Sequence, residues 1–260
     1  MKPRLILLLI ILNFLPLSPL HAQSARITPA VNVIKKWASC VVNISTEQVV
    51  LLGQTPFLLP NADLLNGIPE NLRISIGQTK LNSIGSGVIV SPDGLIVTNA
   101  HVILMAKKLY VTLSDGATVP AQLIGTSNQD DLALLQITPP HELTAAHLAN
   151  DVLIGENVIT IGNPLGLQNS VSVGVVSGVK RNFTVSPTQV FADLIQIDAS
   201  LNLGSSGGAL LNLDGDLTGI NLAVVQNAQN ISFAISADKV KRLLADYENY
   251  KKNTPRSPSP

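Results

Sequence analysis

Gly87-Val88-Ile89-Val90-Ser91-Pro92-Asp93-Gly94-Leu95-Ile96-Val97-Thr98 is the stretch whose reading decides the fold. Two β-prone runs flank a Ser-Pro-Asp-Gly turn, which is a hairpin signature. The same pattern recurs along the chain. Asp115-Gly116 separates Tyr110-Val111-Thr112-Leu113 from 121–124, and Asp214-Gly215 separates Leu210-Leu211-Asn212 from 217–225. Further strands are expected at 40–44, 132–137, 158–161, 172–179, 194–197 and 231–235. Strands this close together, with no helix between them, argue for barrels or sandwiches rather than a parallel sheet. Thr138-Pro139-Pro140-His141 breaks the pattern, and the stretch to Asp151 reads as a linker. Residues 46–83 mix apolar residues with breakers at Gly53, Pro56, Pro60, Gly67 and Pro69 and read as a long loop.

One clear helix is expected, over about 237–250. Ser236 is a good N-cap, Asp238 lies in the first turn, and Val240, Leu243, Leu244 and Tyr247 form one apolar face. Residues 251–260 read as a disordered Pro/Ser tail.

Composition narrows the function. The 260 residues are 46% hydrophobic and 13% charged, enough to build a core. Lys+Arg 17 balances Asp+Glu 17, which argues against a nucleic-acid partner. A single cysteine, Cys40, excludes an internal disulfide and a Cys-rich zinc site, and its apolar neighbours make it a small buried hydrophobe. His141 and His147 read as surface residues, since no His/Cys cluster completes a metal site.

Lys2 and Arg4 precede a nearly pure apolar run over 5–15, and Leu20-His21-Ala22 precedes Gln23. This predicts a secretory signal over 1–22, and hence a periplasmic or secreted protein. The run is shorter than the roughly 20 residues of a spanning helix, so no stable membrane span is expected after cleavage. An uncleaved anchor is the alternative reading of the same residues.

Three polar positions carry the chemistry. Gly204-Ser205-Ser206-Gly207-Gly208 places a serine in a glycine turn, where the N–H groups of Gly204 and Ser206 can converge as an oxyanion hole. His101 ends an apolar strand, and Asp131 opens another. An aspartate behind His101 would hold a ring nitrogen proton and fix the tautomer. By chemistry either Asp130 or Asp131 could do this, with Asp130 the plainer turn residue. His, Asp and Ser in that order, split by the Pro139-Pro140 break, suit a cleft between two β-barrels.

Here the sequence resembles the HtrA (Deg) family of trypsin-like serine proteases. The resemblance is carried by residues 85–102, Asp131-Leu132-Ala133-Leu134-Leu135 and 198–210, supported by Gly162-Asn163-Pro164-Leu165-Gly166 and Phe233-Ala234-Ile235, and runs from about Val33 to Leu244. It implies an all-β chymotrypsin/trypsin-like double β-barrel with a C-terminal helix, the protease domain filling 23–250. The N-terminal barrel would cover about 33–140 and the C-terminal barrel about 150–236. It implies His101 as general base, Asp131 as its orienter, Ser206 as nucleophile, and an oxyanion hole from the Gly204, Ser205 and Ser206 backbone. No metal or organic cofactor is needed. The substrate pocket is expected from Ala199, Ser200 and Leu201 and from Asn221, Leu222 and Ala223. None is charged, so cleavage after small or medium aliphatic residues is expected, with soft specificity.

Such specificity suits unfolded or misfolded polypeptides as substrates, in extracytoplasmic quality control. The resemblance further implies a homotrimer, with 46–83 matching a loop that often reaches a neighbouring subunit. Three departures from the family are visible. The chain stops where a PDZ domain would start, Asn202-Leu203-Gly204-Ser205 stands where Asn-Pro-Gly-Asn is frequent, and the last hairpin, Gln226 to Asn230, is shorter than usual where the family shapes its specificity pocket. A catalytically silent chaperone or binding protein on the same fold is the competing reading.

Overall fold

The structure is a computed structural model, and it describes residues 26–50, 79–104, 106, 108–163, 170–186, 189–202, 204–224 and 229–253. The expected signal segment, the middle of the expected loop (51–78), Pro164-Leu165-Gly166, Leu203 and the tail beyond Asn253 lie outside the described residues. Among the described residues, no helix is long and apolar enough to cross a membrane.

Twelve strands form two closed six-stranded barrels, all pairs antiparallel. The first holds β1 (Val41–Val50), β2 (Thr79–Ser91), β3 (Leu95–Asn99), β4 (Lys108–Thr112), β5 (Thr118–Ser127) and β6 (Leu132–Ile137). The second holds β7 (Asn157–Gly162), β8 (Ser170–Ser186), β9 (Gln189–Ile197), β10 (Ala209–Asn212), β11 (Leu217–Val224) and β12 (Ser232–Ser236). The order around the first barrel is β1-β2-β3-β6-β5-β4, and around the second it is the same with six added to each number, β7-β8-β9-β12-β11-β10. Closure pairs the strands on both sides around each barrel.

The packing explains why β3 and β6 read as nearly unbroken apolar runs. Ile96 and Leu135 point into the first barrel, with Ile44, Ile89 and Val111. Their neighbours Val97 and Leu134 point the other way, into a cluster shared with Ile159, Ile161, Leu211 and Ile220 of the second barrel. Both faces of these strands are therefore buried, and the polar-apolar alternation of a one-sided strand is lost.

Three expectations are corrected. Residues 46–50 and 79–83 are not loop: they pair as strands, Thr46 opposite Ser83 through Val50 opposite Thr79. The C-terminal helix runs over Ala237–Asn253, so the first three residues of the expected tail are helical. A second helix precedes the barrels, α1 (Pro29–Trp37), which makes the C-terminal helix α2. The signals for α1 are local: the Thr28 hydroxyl accepts from the Val31 N–H at 3.3 Å, and Pro29 occupies the first turn. Val33 and Trp37, four apart, bury one face. Gly215 (φ +89°) lets Trp37 lie against the β10–β11 turn, because a Cβ there would stand 2.1 Å from the indole nitrogen.

Helix α2 is fastened by a buried cation. The Lys239 ammonium pairs with Asp130 at 2.6 Å and donates to the Ala192 carbonyl at 2.8 Å. One side chain thus joins α2, strand β9 and the turn that ends in Asp131. Asp130 is one-fifth exposed and Lys239 only 6% exposed, so losing the carboxylate strands the better buried charge. Asp130→Ala is expected to cost about 2 kcal/mol, below the 3–5 kcal/mol of a fully buried pair, as read by urea unfolding.

A surface pair gives a pH signature. Protonated His141 donates through Nδ1 to the Glu142 carbonyl at 2.9 Å and through Nε2 to Asp115 at 2.8 Å. Both bonds at once require the imidazolium, so the Glu142 carbonyl, and then Asp115, raise the His141 pKa above its ordinary value. The Ala117 N–H, and then His141, lower the Asp115 pKa. The raised histidine supports folding fully below the ordinary imidazole value and loses that support as pH rises through its own. The lowered aspartate supports folding above the ordinary carboxylate value and loses it as pH falls through its own. Stability from this pair is therefore expected to peak between those two ordinary values, with a small amplitude because both groups face water. Asp115→Asn should flatten the effect in melting curves and lower the His141 midpoint by NMR.

Candidate active site

The histidine and aspartate meet at the end of β3. Strand pairing sets Asn99 opposite Leu132, so Asp131 lies just across from the start of the 3-10 turn Ala100–Ile103. Asp131 is buried and takes a left-handed backbone conformation, φ +52°, which aspartate tolerates better than most residues. The carboxylate then faces His101 at two points. Oδ1 accepts the His101 backbone N–H at 2.9 Å, and Oδ2 stands 2.6 Å from Nδ1. Its carbonyl accepts from the Ala100 N–H at 3.0 Å and the Asn99 amide at 3.1 Å. Oδ2 fixes the proton on Nδ1 and leaves Nε2 as the basic nitrogen. The imidazole remains about half exposed, open to an incoming group. Asp130, the other chemical possibility, turns away to Lys239 and the Ser127 hydroxyl.

The serine comes from the second barrel. Ser206 lies between Gly204 (φ +93°) and Gly207 (φ +82°), both in the region that favours glycine. At Gly207 a Cβ would sit 2.1 Å from the Ser86 carbonyl oxygen and 2.4 Å from the Thr98 hydroxyl, so only glycine lets the turn press against the first barrel. The turn is held there by the Ser86 N–H, which donates to the Ser206 carbonyl at 2.9 Å.

The Ser206 hydroxyl donates to the Leu222 carbonyl at 2.9 Å. A hydroxyl has one hydrogen, so in this arrangement it is not donating to His101. Leu222 sits in a β-bulge, where pairing with β12 slips between Asn221 and Ala223. A bulge frees a carbonyl from the ladder and re-aims it.

The oxyanion expectation needs one correction. Of the three N–H groups named, that of Ser205 is donated to the Asn202 carbonyl at 2.9 Å and faces no substrate. Among the described residues, the N–H groups of Gly204 and Ser206 have no protein acceptor.

The expected pocket also divides. Ala199, Leu201 and Leu222 are buried and Ser200 is exposed, whereas the side chain of Ala223 lies outside the described residues. Asn221 is also buried, and its amide donates to the Ala209 and Ile161 carbonyls at 3.1 and 3.4 Å. Burial pushes the Cys40 thiol up to about 12, which keeps it inert at neutral pH. Among the described residues, no three His, Cys, Asp or Glu side chains are grouped to hold a metal ion.

Sequence reading missed Ser86, Thr98, Asn163 and the Leu222 carbonyl. The available signal was at Ser86, a polar residue on an apolar strand between two glycines.

The model of the trypsin-like peptidase domain matches residues 85–220, just over half of the chain. The chain belongs to this family. Within it, the domain is of the HtrA type. It is 44% identical over 171 residues to serine protease HTR4 of Rattus norvegicus, which covers 64% of the chain and 34% of that protein. It is 36% identical over 244 residues to a probable periplasmic serine endoprotease, DegP-like, of Pseudomonas fulva, covering 83% and 48%. Two solved structures of the HtrA-type protease AlgW with a decapeptide, one of them a variant, superpose with TM-scores of 0.71 and 0.68. They are 31% and 30% identical and cover 86% of this chain and 68% of that one. The HtrA-type domain spans between about a third and a half of the length of the curated relatives named here.

Proposed function

We propose that this HtrA-type domain is a serine endopeptidase that degrades unfolded or damaged proteins outside the cytoplasm. The observation that carries the reading is the two-point grip of Asp131 on His101, at 2.9 and 2.6 Å, across from a serine in a glycine turn. In this reading the Ser206 hydroxyl leaves the Leu222 carbonyl and turns to His101. Its oxygen bonds to the substrate carbonyl carbon as its proton passes to Nε2, and the carbonyl oxygen becomes an oxyanion facing the Gly204 and Ser206 N–H groups. The C–N bond breaks, the leaving amine takes the proton from Nε2, and an acyl-enzyme remains. Water, deprotonated by His101, releases the acid and restores Ser206.

Buried, uncharged Ala199 and Leu201 support a preference for small or medium aliphatic residues before the cut bond. The basic, apolar, small-residue pattern of 1–22 supports export, and the DegP-like relative named above is described as periplasmic. Assembly as a homotrimer rests on the family resemblance, and light scattering tests it: a monomeric mass removes it. A second reading, a protein that holds clients without cutting them, has one observation in its favour, the Ser206 hydroxyl turned to Leu222.

The deciding experiment gives the protein from Gln23 onward a denatured casein substrate and a fluorophosphonate probe. Cleavage, with the adduct mapped to Ser206 by mass spectrometry, supports the endopeptidase. Client binding with neither cleavage nor labelling, over a range of temperatures and added peptides, supports the holding protein.

A further inference from the structure

Ser86 has no part in the reaction steps above, yet each of its polar atoms is committed at the site. It lies on β2 with 0% exposure. Its hydroxyl donates to the Gly204 carbonyl at 2.7 Å and accepts the Asn163 N–H at 2.9 Å. Its N–H donates to the Ser206 carbonyl, and its own carbonyl accepts from the Thr98 hydroxyl at 2.7 Å. One residue of the first barrel therefore touches the strand that leads to His101, the end of β7, and both sides of the nucleophile turn.

The bond to Gly204 matters most. The Gly204 carbonyl and the Ser205 N–H belong to one planar peptide unit. Its carbonyl is held by Ser86, and its N–H by Asn202 at 2.9 Å. A plane gripped at both ends cannot swing about its Cα–Cα axis. The Gly204 and Ser206 N–H groups on either side of it then have fixed directions, despite two glycines that would otherwise let the turn move. We propose that Ser86 is the positioning residue of the oxyanion loop, its hydroxyl setting the Gly204–Ser205 peptide and through it the aim of the flanking N–H donors. The inference rests on the serine endopeptidase reading and deepens it.

A simple staple between barrels would predict something else. The Ser86 N–H bond to Ser206 and the Lys239–Asp130 pair survive removal of the Ser86 hydroxyl, so the barrels stay joined. What is lost is the orientation of donors that act only when the oxyanion exists.

The test compares wild type, Ser86→Ala and Ser86→Thr on a fluorogenic peptide. It also compares binding of a peptide boronic acid, whose tetrahedral adduct mimics the transition state, with binding of the same peptide ending in a carboxylate. Ser86→Ala is expected to lower kcat and boronate affinity by about 10- to 100-fold, at or below the effect of deleting one oxyanion donor. KM and carboxylate-peptide affinity should hold, Tm should fall by a few degrees because the Gly204 carbonyl and the Asn163 N–H lose their buried partner, and Ser86→Thr should recover most of the kcat and boronate loss. If Ser86→Ala does not fold, Ser86→Cys keeps the bulk with a weaker donor and should give a smaller kcat loss at constant KM. Wild-type kcat and boronate affinity in Ser86→Ala would overturn the inference alone, as would a weakening of KM and carboxylate-peptide binding as large as that of kcat and boronate binding. A wild type that neither cleaves nor takes the boronate overturns the endopeptidase reading and this inference with it.

Discussion

Ser206→Ala is expected to lower turnover of a denatured protein by about 10⁶-fold and to leave the melting temperature where it was. The two halves have separate causes. Chemistry fails because the hydroxyl from which His101 would take a proton is gone. The fold survives because the oxygen removed makes one hydrogen bond, to the bulged Leu222 carbonyl at a partly exposed site. The turn itself is held through backbone groups: Ser206 carbonyl to Ser86, Gly207 N–H to the Asn221 carbonyl, and Gly208 N–H to the Ser205 carbonyl. The measurement pairs casein cleavage and fluorophosphonate labelling with a thermal melt of the same samples. Residual cleavage above the 10⁶-fold floor would place the nucleophile elsewhere.

Asp131→Asn should lower kcat by about 10⁴-fold at nearly constant KM, a loss of the size seen when a triad aspartate is made neutral. The structure gives a local reason. The His101 backbone N–H needs an acceptor at the Oδ1 position, 2.9 Å away. An asparagine must therefore put its carbonyl oxygen there, which turns its NH₂ toward Nδ1. Facing a donor, Nδ1 must become the acceptor, and the ring proton moves to Nε2. The nitrogen that should accept from Ser206 then carries a proton already. Steady-state kinetics on a fluorogenic peptide, with circular dichroism to verify the fold, checks this. A loss below tenfold would mean that the aspartate does not set the tautomer.

What could be read from the residues, and what could not, follows from the range of the forces involved. Strand β6, Leu132 to Ile137, was legible to the residue because its burial on both faces leaves an apolar run, broken only by Gln136, between polar ends. The extension of β8 through Lys180, Arg181 and Asn182 was not, since those residues are exposed on a hairpin that leaves the barrel and carry no alternation. Thr46-Glu47-Gln48, three polar residues in a row with no alternation, hid the end of β1 as well. Helix α1 did announce itself, through Thr28-Pro29 and the Val33/Trp37 spacing, but nine residues are too few for periodicity to stand out from the strands around it. At the site, His101, Asp131 and Ser206 lie in recognisable local contexts. The grip of Ser86 on Gly204, 118 residues away, and the bulged Leu222 carbonyl are products of tertiary packing, which a linear pattern does not encode.

The Lys239 ammonium has a consequence for how the molecule comes apart. Two closed barrels could in principle open one after the other. Here the last helix of the chain holds, through one buried cation, both the turn beside Asp131 in the first barrel and strand β9 in the second. Fraying of α2 would release both at once, so local openings near its start are coupled to global unfolding. In hydrogen exchange that coupling is expected as a single cooperative unit spanning the cleft, with the amides around Asp130 and Ala192 losing protection together when the C-terminal helix is peeled away.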